Sequence, residues 1–308
     1  MSVLLFPGQG SQIVGMGSEF YNNFELVKKI FKEADEILNY PLSKIILEGP
    51  PDELQLTQNT QPAILTVSYS IFKVLEQEFN FNFKSFKFFA GHSLGEYSAL
   101  LCSGSLDFRD ALYLLNERGK AMQEAVPVGK GKMIAVLGLK TKEIYDMIKS
   151  CNYKGVCEIA NDNAEGQVIV SGDTETVDLF QKLLKESKIK SIPLKVSAPF
   201  HCSLMKSASE IMKEKIIKTN FKKPLNQIVS NVTANAVTDT NIIKKLLIEQ
   251  IFSTVKWRES IIYMSSMGEQ NFIEIGPGKV LSGLVKRINK TVKIDTINNE
   301  NDIKNLNI

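Results

Sequence analysis

The sequence predicts an α/β protein with a β-α-β-β-α-β unit inserted into it, on three observations. Short apolar runs alternate with helical periodicities along most of the chain, the pattern of a sheet covered by helices. Between Pro127 and Lys195 the alternation changes to four strands and two helices, with a polar turn between the inner pair of strands. And at Phe86 to Cys102 a strand, a sharp turn and a helix follow one another directly, an order that often carries chemistry.

The elements run as follows. Val3 to Phe6 is a buried strand that stops at Pro7 and passes into the Gly-rich turn Pro7-Gly8-Gln9-Gly10-Ser11-Gln12. From Phe24 the apolar residues Phe24, Val27, Phe31, Ala34 and Leu38 recur every three or four positions, so an amphipathic helix is expected with Asn22 or Asn23 as its cap. A second helix is placed from Thr60-Gln61-Pro62, proline suiting the first helical position, with Ile64, Val67, Ile71, Val74 and Leu75 inward. Phe86 to Ala90 is a strand, Gly91 to Gly95 a turn, and Glu96 to Cys102 a helix ending near Gly104. The next stretch reads strand 132–138, helix 141–149, strand 155–160, strand 166–171, helix 174–187 and strand 189–194, with Asp162-Asn163-Ala164-Glu165-Gly166 as the central turn. That order is ferredoxin-like. It divides the chain into a subdomain at 127–196 and a main domain made of 1–126 and 197–308. Beyond it, 203–218, 244–252 and 279–288 read as helices, and 227–230 and 272–275 as extended.

Composition narrows the function. With 308 residues, 44% hydrophobic and 23% charged, the chain can bury a large core and is neither disordered nor fibrous. Its 37 Lys and Arg against 34 Asp and Glu leave a net charge of +3, too little to argue for nucleic acid. The amino terminus lacks the charged start and length of a secretory signal, and no apolar run approaches the roughly 18 to 20 residues of a membrane span. A cytoplasmic protein that engages no membrane is expected. Cys102, Cys151, Cys157 and Cys202 show no metal-binding spacing and read as buried thiols, so neither a metal nor a disulfide is expected.

Gly91-His92-Ser93-Leu94-Gly95 matches GxSxG, in which a serine on a strained strand-to-helix turn projects its hydroxyl. Chance supplies about 0.1 such match in a chain of this length, and the flanking strand and helix are the context the motif requires. Ser93 is therefore the candidate nucleophile, with the Leu94 N–H as an oxyanion donor. Of the two histidines, His92 adjoins Ser93 and its side chain diverges from it, leaving packing or hydrogen bonding as its role. His201, in the loop before residues 203–218, is the candidate base. No Asp or Glu stands out by spacing as the group that would orient it. Gly8-Gln9-Gly10 fails the GxGxxG fingerprint because Ile13 occupies the third glycine position, and no Walker motif is present. The loop fits better as the source of a second oxyanion donor, the Gln9 N–H.

Phe6-Pro7-Gly8-Gln9-Gly10-Ser11-Gln12, Gln61-Pro62-Ala63, Gly91-His92-Ser93-Leu94-Gly95-Glu96-Tyr97, Glu117-Arg118-Gly119-Lys120-Ala121-Met122, Pro199-Phe200-His201 and Gly276-Pro277-Gly278 together resemble the malonyl-CoA:acyl-carrier-protein transacylase family, over essentially the whole chain. The resemblance implies an α/β-hydrolase-like core holding a ferredoxin-like insertion. It implies that Ser93 attacks the malonyl thioester, that His201 takes and returns the proton, and that the Gln9 and Leu94 N–H groups form the oxyanion hole. It implies further that Arg118 grips the malonyl carboxylate and that the Gln250 main-chain carbonyl orients His201, replacing the acidic group. Phe200 matches a bulky residue associated with malonyl over methylmalonyl.

The reaction so implied is ping-pong transfer from malonyl-CoA to the phosphopantetheine thiol of an acidic acyl carrier protein, supplying fatty acid synthesis, by a monomer without cofactor. Two lysine clusters, Lys182, Lys185, Lys188, Lys190 and Lys195, and Lys206, Lys213, Lys215, Lys218, Lys222 and Lys223, are candidates for the carrier surface. The alternatives are a serine hydrolase or thioesterase on the same core, and a relative with another acyl-CoA preference; a non-catalytic carrier-binding protein would lack the serine or the histidine.

Overall fold

The computed structural model describes residues 2–151, 153–196 and 198–306. Among them, ten strands follow in chain order: β1 (Ser2–Phe6), β2 (Phe88–Gly91), β3 (Gly131–Leu137), β4 (Cys157–Ala164), β5 (Gln167–Asp173), β6 (Ser191–Pro193), β7 (Gln227–Val229), β8 (Ala236–Val237), β9 (Asn271–Ile275) and β10 (Lys293–Ile297). They form two sheets, one in the order β10-β9-β1-β2-β7-β8 and one in the order β4-β5-β3-β6. The six-stranded sheet is parallel except at the β7–β8 pair. Its central strand is apolar on both faces because both are covered: Leu4 and Phe6 pack with Phe89 in one core, Val3 and Leu5 with Phe88 and Ala90 in another.

The four-stranded sheet is antiparallel throughout. Helices Thr141–Ser150 and Thr174–Glu186 cover one face, where Ile134, Val136, Val168 and Val170 meet Ile144, Val177, Phe180 and Leu184. From the other face Met133, Ala135 and Ile169 join the large core of the first sheet. The two sheets thus face each other across shared apolar packing, and the functional cavity lies where that packing opens.

Local rules account for most departures from the sequence reading. Neither Asn22 nor Asn23 is a cap: both close a separate helix, Ser18–Asn23, and Glu25–Leu38 starts after the extended Phe24. Helix Thr57–Gln77 begins before Thr60, so Pro62 lies inside it. Proline cannot donate to the carbonyl four residues back, and Asn116 Nδ2, from the neighbouring helix Phe108–Glu124, donates to that Gln58 oxygen instead at 3.0 Å. The expected turn at Asp162-Asn163-Ala164 is strand, the reversal being confined to Glu165-Gly166. Those polar residues are accommodated in β4 because two bulges redirect it and partners on the main sheet's side meet them. Cys102, Cys157 and Cys202 are buried, whereas Cys151 is half-buried. Ser197, the expected domain boundary, and the outermost residues Met1 and Ile308 lie outside the described residues.

Candidate active site

The turn after β2 is built by two close approaches. A Cβ on Gly91 would stand 1.9 Å from the Gly95 carbonyl carbon, and one on Gly95 would stand 2.3 Å from the Phe6 oxygen of β1, so both positions exclude any side chain. Between them Ser93 has φ 53°, a left-handed conformation that costs a non-glycine residue about 1 to 3 kcal/mol. Asn231, just past β7, holds that conformation from both sides: its Oδ1 accepts from the Ser93 N–H at 2.7 Å and its Nδ2 donates to the Gly91 oxygen at 2.7 Å. The Ser93 N–H is thereby engaged, and among the described residues nothing accepts from the N–H of Leu94 or of Gln9. Both N–H groups are thus free to donate, and Gln9 lines the same cavity as the serine.

Ser93 Oγ lies 2.8 Å from His201 Nε2, and His201 Nδ1 lies 2.9 Å from the Gln250 main-chain oxygen. With Nδ1–H donating to that carbonyl, Nε2 is the basic nitrogen facing the hydroxyl. His201 is itself at φ 57°, so both ends of the pair are held in strained backbone. Burial and then the nearby Arg118 charge push the His201 pKa down to about 3, which keeps the imidazole neutral and able to accept a proton. Among the described residues no carboxylate orients it. Residue spacing leaves that position open because a carbonyl has no residue signature; the family resemblance names Gln250, and its main-chain oxygen is the atom found there.

Arg118 is 1% exposed on helix Phe108–Glu124. Its helix comes close because Gly119 has no side chain: a Cβ there would lie 2.5 Å from Gln58 Cα. Nη1 donates to Gln61 Oε1 at 2.7 Å, and Nη2 to Gln250 Oε1 at 2.9 Å and Ser93 Oγ at 3.1 Å. Nε is buried with no partner among the described residues, so the guanidinium keeps a donor unused. No carboxylate among them pairs with it directly. A buried cation beside a nucleophile, bound by neutral groups alone, is a site for an anionic group.

Ser93, His201, Arg118 and Gln61 line a cavity of about 440 Å³ together with Gln9, His92, Met133, Asn161, Asn163, Ile169, Lys195 and Phe200. The main sheet supplies the reacting groups and the inserted sheet a wall. His92 turns away from the hydroxyl, its Nε2 2.8 Å from Asn163 Oδ1 on β4 and its ring against Trp257. A separate hollow of 590 Å³ on the far side of His201 does not reach Ser93.

The chain matches the acyl transferase domain family over residues 3–305. It is 44% identical over 302 residues to the malonyl CoA-acyl carrier protein transacylase of Bacillus subtilis (strain 168), covering 97% of this chain and 94% of that one. The chain belongs to the malonyl-CoA:acyl-carrier-protein transacylase family. A crystal structure of the acyl-carrier-protein S-malonyltransferase from Bartonella henselae superimposes with a TM-score of 0.96 at 40% identity, covering 99% of this chain and 97% of that one. A malonyl-transacylase solved in complex with its type II PKS acyl-carrier protein does so at 0.95 and 37% identity, covering 98% and 97%.

Within this transacylase frame, three residues that the sequence reading gave no role surround Ser93 and Arg118. Asn231 clamps the turn, Gln61 holds Arg118, and Glu96, buried at 2% exposure, accepts from Gln250 Nε2 at 2.8 Å and the Asn231 N–H at 3.0 Å. Gln61 and Glu96 stand inside the motifs that carry the resemblance; Asn231 has no local signal, since it acts from 138 positions away. The second lysine cluster is interleaved with acids: Lys215 pairs with Glu117, Lys213 with Glu210 and Lys218 with Glu214. In the first cluster, Lys195 lines the active-site cavity.

Proposed function

We propose that this transacylase moves a malonyl group from malonyl-CoA to the phosphopantetheine thiol of an acyl carrier protein through an ester on Ser93, in support of fatty acid synthesis. The observation that carries this reading is the placement of the unpaired Arg118 guanidinium within 3.1 Å of the nucleophile's oxygen. In the first half-reaction Ser93 Oγ attacks the thioester carbon while His201 Nε2 takes its proton, and the oxyanion forms against the Gln9 and Leu94 N–H groups. The carbon–sulfur bond then breaks, and His201 returns the proton to the departing CoA sulfur. In the second half-reaction the carrier's thiol repeats the sequence in reverse.

Selectivity rests on Arg118. Malonyl presents a carboxylate to the planar guanidinium, whereas acetyl gives the buried guanidinium no anion in direct contact, at a cost of about 3 to 5 kcal/mol, or two to four decades of discrimination. Phe200 on the cavity wall is the residue placed to oppose a branched acyl group. The chemistry needs no metal or redox group. An acidic carrier protein is the acceptor, the enzyme acts as a monomer in the cytoplasm, and Lys195 begins the basic surface at the cavity. In the described residues no helix is long and apolar enough to cross a membrane. The six-stranded sheet with its serine turn serves as an α/β-hydrolase-like core (1–126 and 197–308), and the β-α-β-β-α-β order of 127–196 as a ferredoxin-like insertion.

Intact-protein mass after brief exposure to malonyl-CoA or acetyl-CoA tests this reading. A malonyl adduct is expected on the native chain, none on Ser93→Ala, and loss of the malonyl preference on Arg118→Ala. Steady release of CoA without an adduct would instead indicate a hydrolase.

A further inference from the structure

The buried glutamate beside the nucleophile turn has no part in the transfer chemistry, yet it is connected to both halves of the site. The Gln250 side-chain amide lies between Glu96 and Arg118: its Oε1 accepts from Arg118 Nη2 at 2.9 Å and its Nε2 donates to Glu96 Oε2 at 2.8 Å. One neutral amide thus separates these two buried charges. The ionised group acting on Glu96 is Arg118; among the described residues of β1, β2, β7 and helix Thr57–Gln77 none does. Tyr97, next to it on the same helix, is held neutral by burial, as is His201 beyond Arg118. Asn231 and Gln250, which touch it, carry no charge.

A substrate carboxylate entering this site changes the balance. One guanidinium then faces two carboxylates at a buried position, and like charges sharing a buried cation raise one another's proton affinity. The incoming carboxylate touches Arg118 directly, whereas Glu96 reaches it through an amide, so the proton goes to Glu96. We infer that Glu96 is the resting counter-ion of Arg118, and that loading a malonyl group is accompanied by uptake of one proton from solvent onto the Glu96 carboxyl. The inference rests on the assignment of Arg118 to the malonyl carboxylate. Burial already raises the Glu96 pKa to about 7, so the resting group is mostly ionised above neutrality and able to take up the proton. The neutral acid keeps an oxygen for Gln250 Nε2 and the Asn231 N–H, so loading leaves the turn intact.

Calorimetric titration of Ser93→Ala with malonyl-CoA, in two buffers of different ionisation enthalpy, counts the protons, and acetyl-CoA supplies the contribution of the CoA phosphates. An excess uptake for malonyl-CoA is expected at pH 8, shrinking as pH falls toward 6 and Glu96 is already protonated before loading, and none in Ser93→Ala/Glu96→Gln. Excess uptake that survives Glu96→Gln, or no excess at pH 8, overturns the inference. Should that variant fail to fold, infrared difference spectra of the malonylated native enzyme decide: a protonated carboxyl band that shifts with 13C-labelled glutamate is expected, and its absence is fatal. The two assignments fail separately. Equal binding of malonyl-CoA and acetyl-CoA, unaltered by Arg118→Ala, would remove the role of Arg118; an Arg118-dependent preference without excess uptake would remove only that of Glu96.

Discussion

The serine turn after β2 and the bulged strand β4 border the same cavity, and they are made fit for it by opposite means. At the turn, strain is imposed and then locked: positive φ at Ser93, two positions closed to side chains, and Asn231 bonded through both ends of its amide to the Ser93 N–H and the Gly91 oxygen. In β4 the strand is loosened, with register shifts between Ile159 and Asn161 and between Asp162 and Ala164 that leave Ala160 and Asn163 without a ladder partner around three successive polar residues, Asn161, Asp162 and Asn163. They join the inserted sheet to the main one: Asn161 bridges Val255, Asp162 takes Arg258 through both oxygens, and Asn163 meets His92. Groups that react need one geometry and are over-determined. A wall needs only to stay in place, and bulges with a few polar links suffice.

This contrast orders the expected effects of substitution. The largest belongs to the turn: Ser93→Ala should lower malonyl transfer at least a thousandfold, read by single-turnover assay, and His201→Ala comparably. Next, Arg118→Ala should erase about two to four decades of malonyl over acetyl preference in kcat/KM. Asn231→Ala sharpens the comparison, because it touches no substrate yet frees the Ser93 N–H and the Gly91 oxygen. A loss of about ten- to a hundredfold in kcat is expected with KM little changed, together with about 1 to 3 kcal/mol of stability in urea. At β4, Asp162→Asn weakens the bond to Arg258 and should cost about 2 kcal/mol of stability with less than a tenfold change in rate. A rate loss at Asp162 as large as that at Asn231 would break the distinction between turn and wall.

The smallest effect is one of pH. Because the folded-state pKa of His201 lies well below the ordinary histidine value, its basic form persists as pH falls. kcat/KM for malonyl-CoA should therefore show no descending limb near 6.5 between pH 7.5 and 5.5. An ordinary histidine limb there would place His201 in a more solvated site than the structure does.

Chemistry that depends on a short stretch of chain is legible in the sequence. Ser93 is visible because a strained turn needs small residues on both sides within five positions, and His201 because the chain offers few imidazoles. The alternation of strands and helices is legible for the same reason, burial on two faces or on one stripe being written into residue spacing. Residue spacing leaves several helices unread, among them Phe108–Glu124, Trp257–Ser266 and Glu300–Lys304. The polar stretch Asp162-Asn163 reads as a turn, since nothing in its neighbourhood in sequence announces that Arg258 and His92 will meet it.

What the sequence determined by itself was therefore the kind of fold, the candidate nucleophile and the candidate base that the structure brings within 2.8 Å of it. What the tertiary structure alone decided was how those groups are held: the Asn231 clamp, the alignment of Arg118 on the serine with Gln61 and the Gln250 side chain, and the placing of Glu96 one amide away from it. The physical reason is range. Backbone strain and apolar periodicity act over a few residues and leave a local imprint, whereas the hydrogen bonds that tie Ser93 to Asn231 and to Gln250 span more than a hundred positions and exist only once the core has packed.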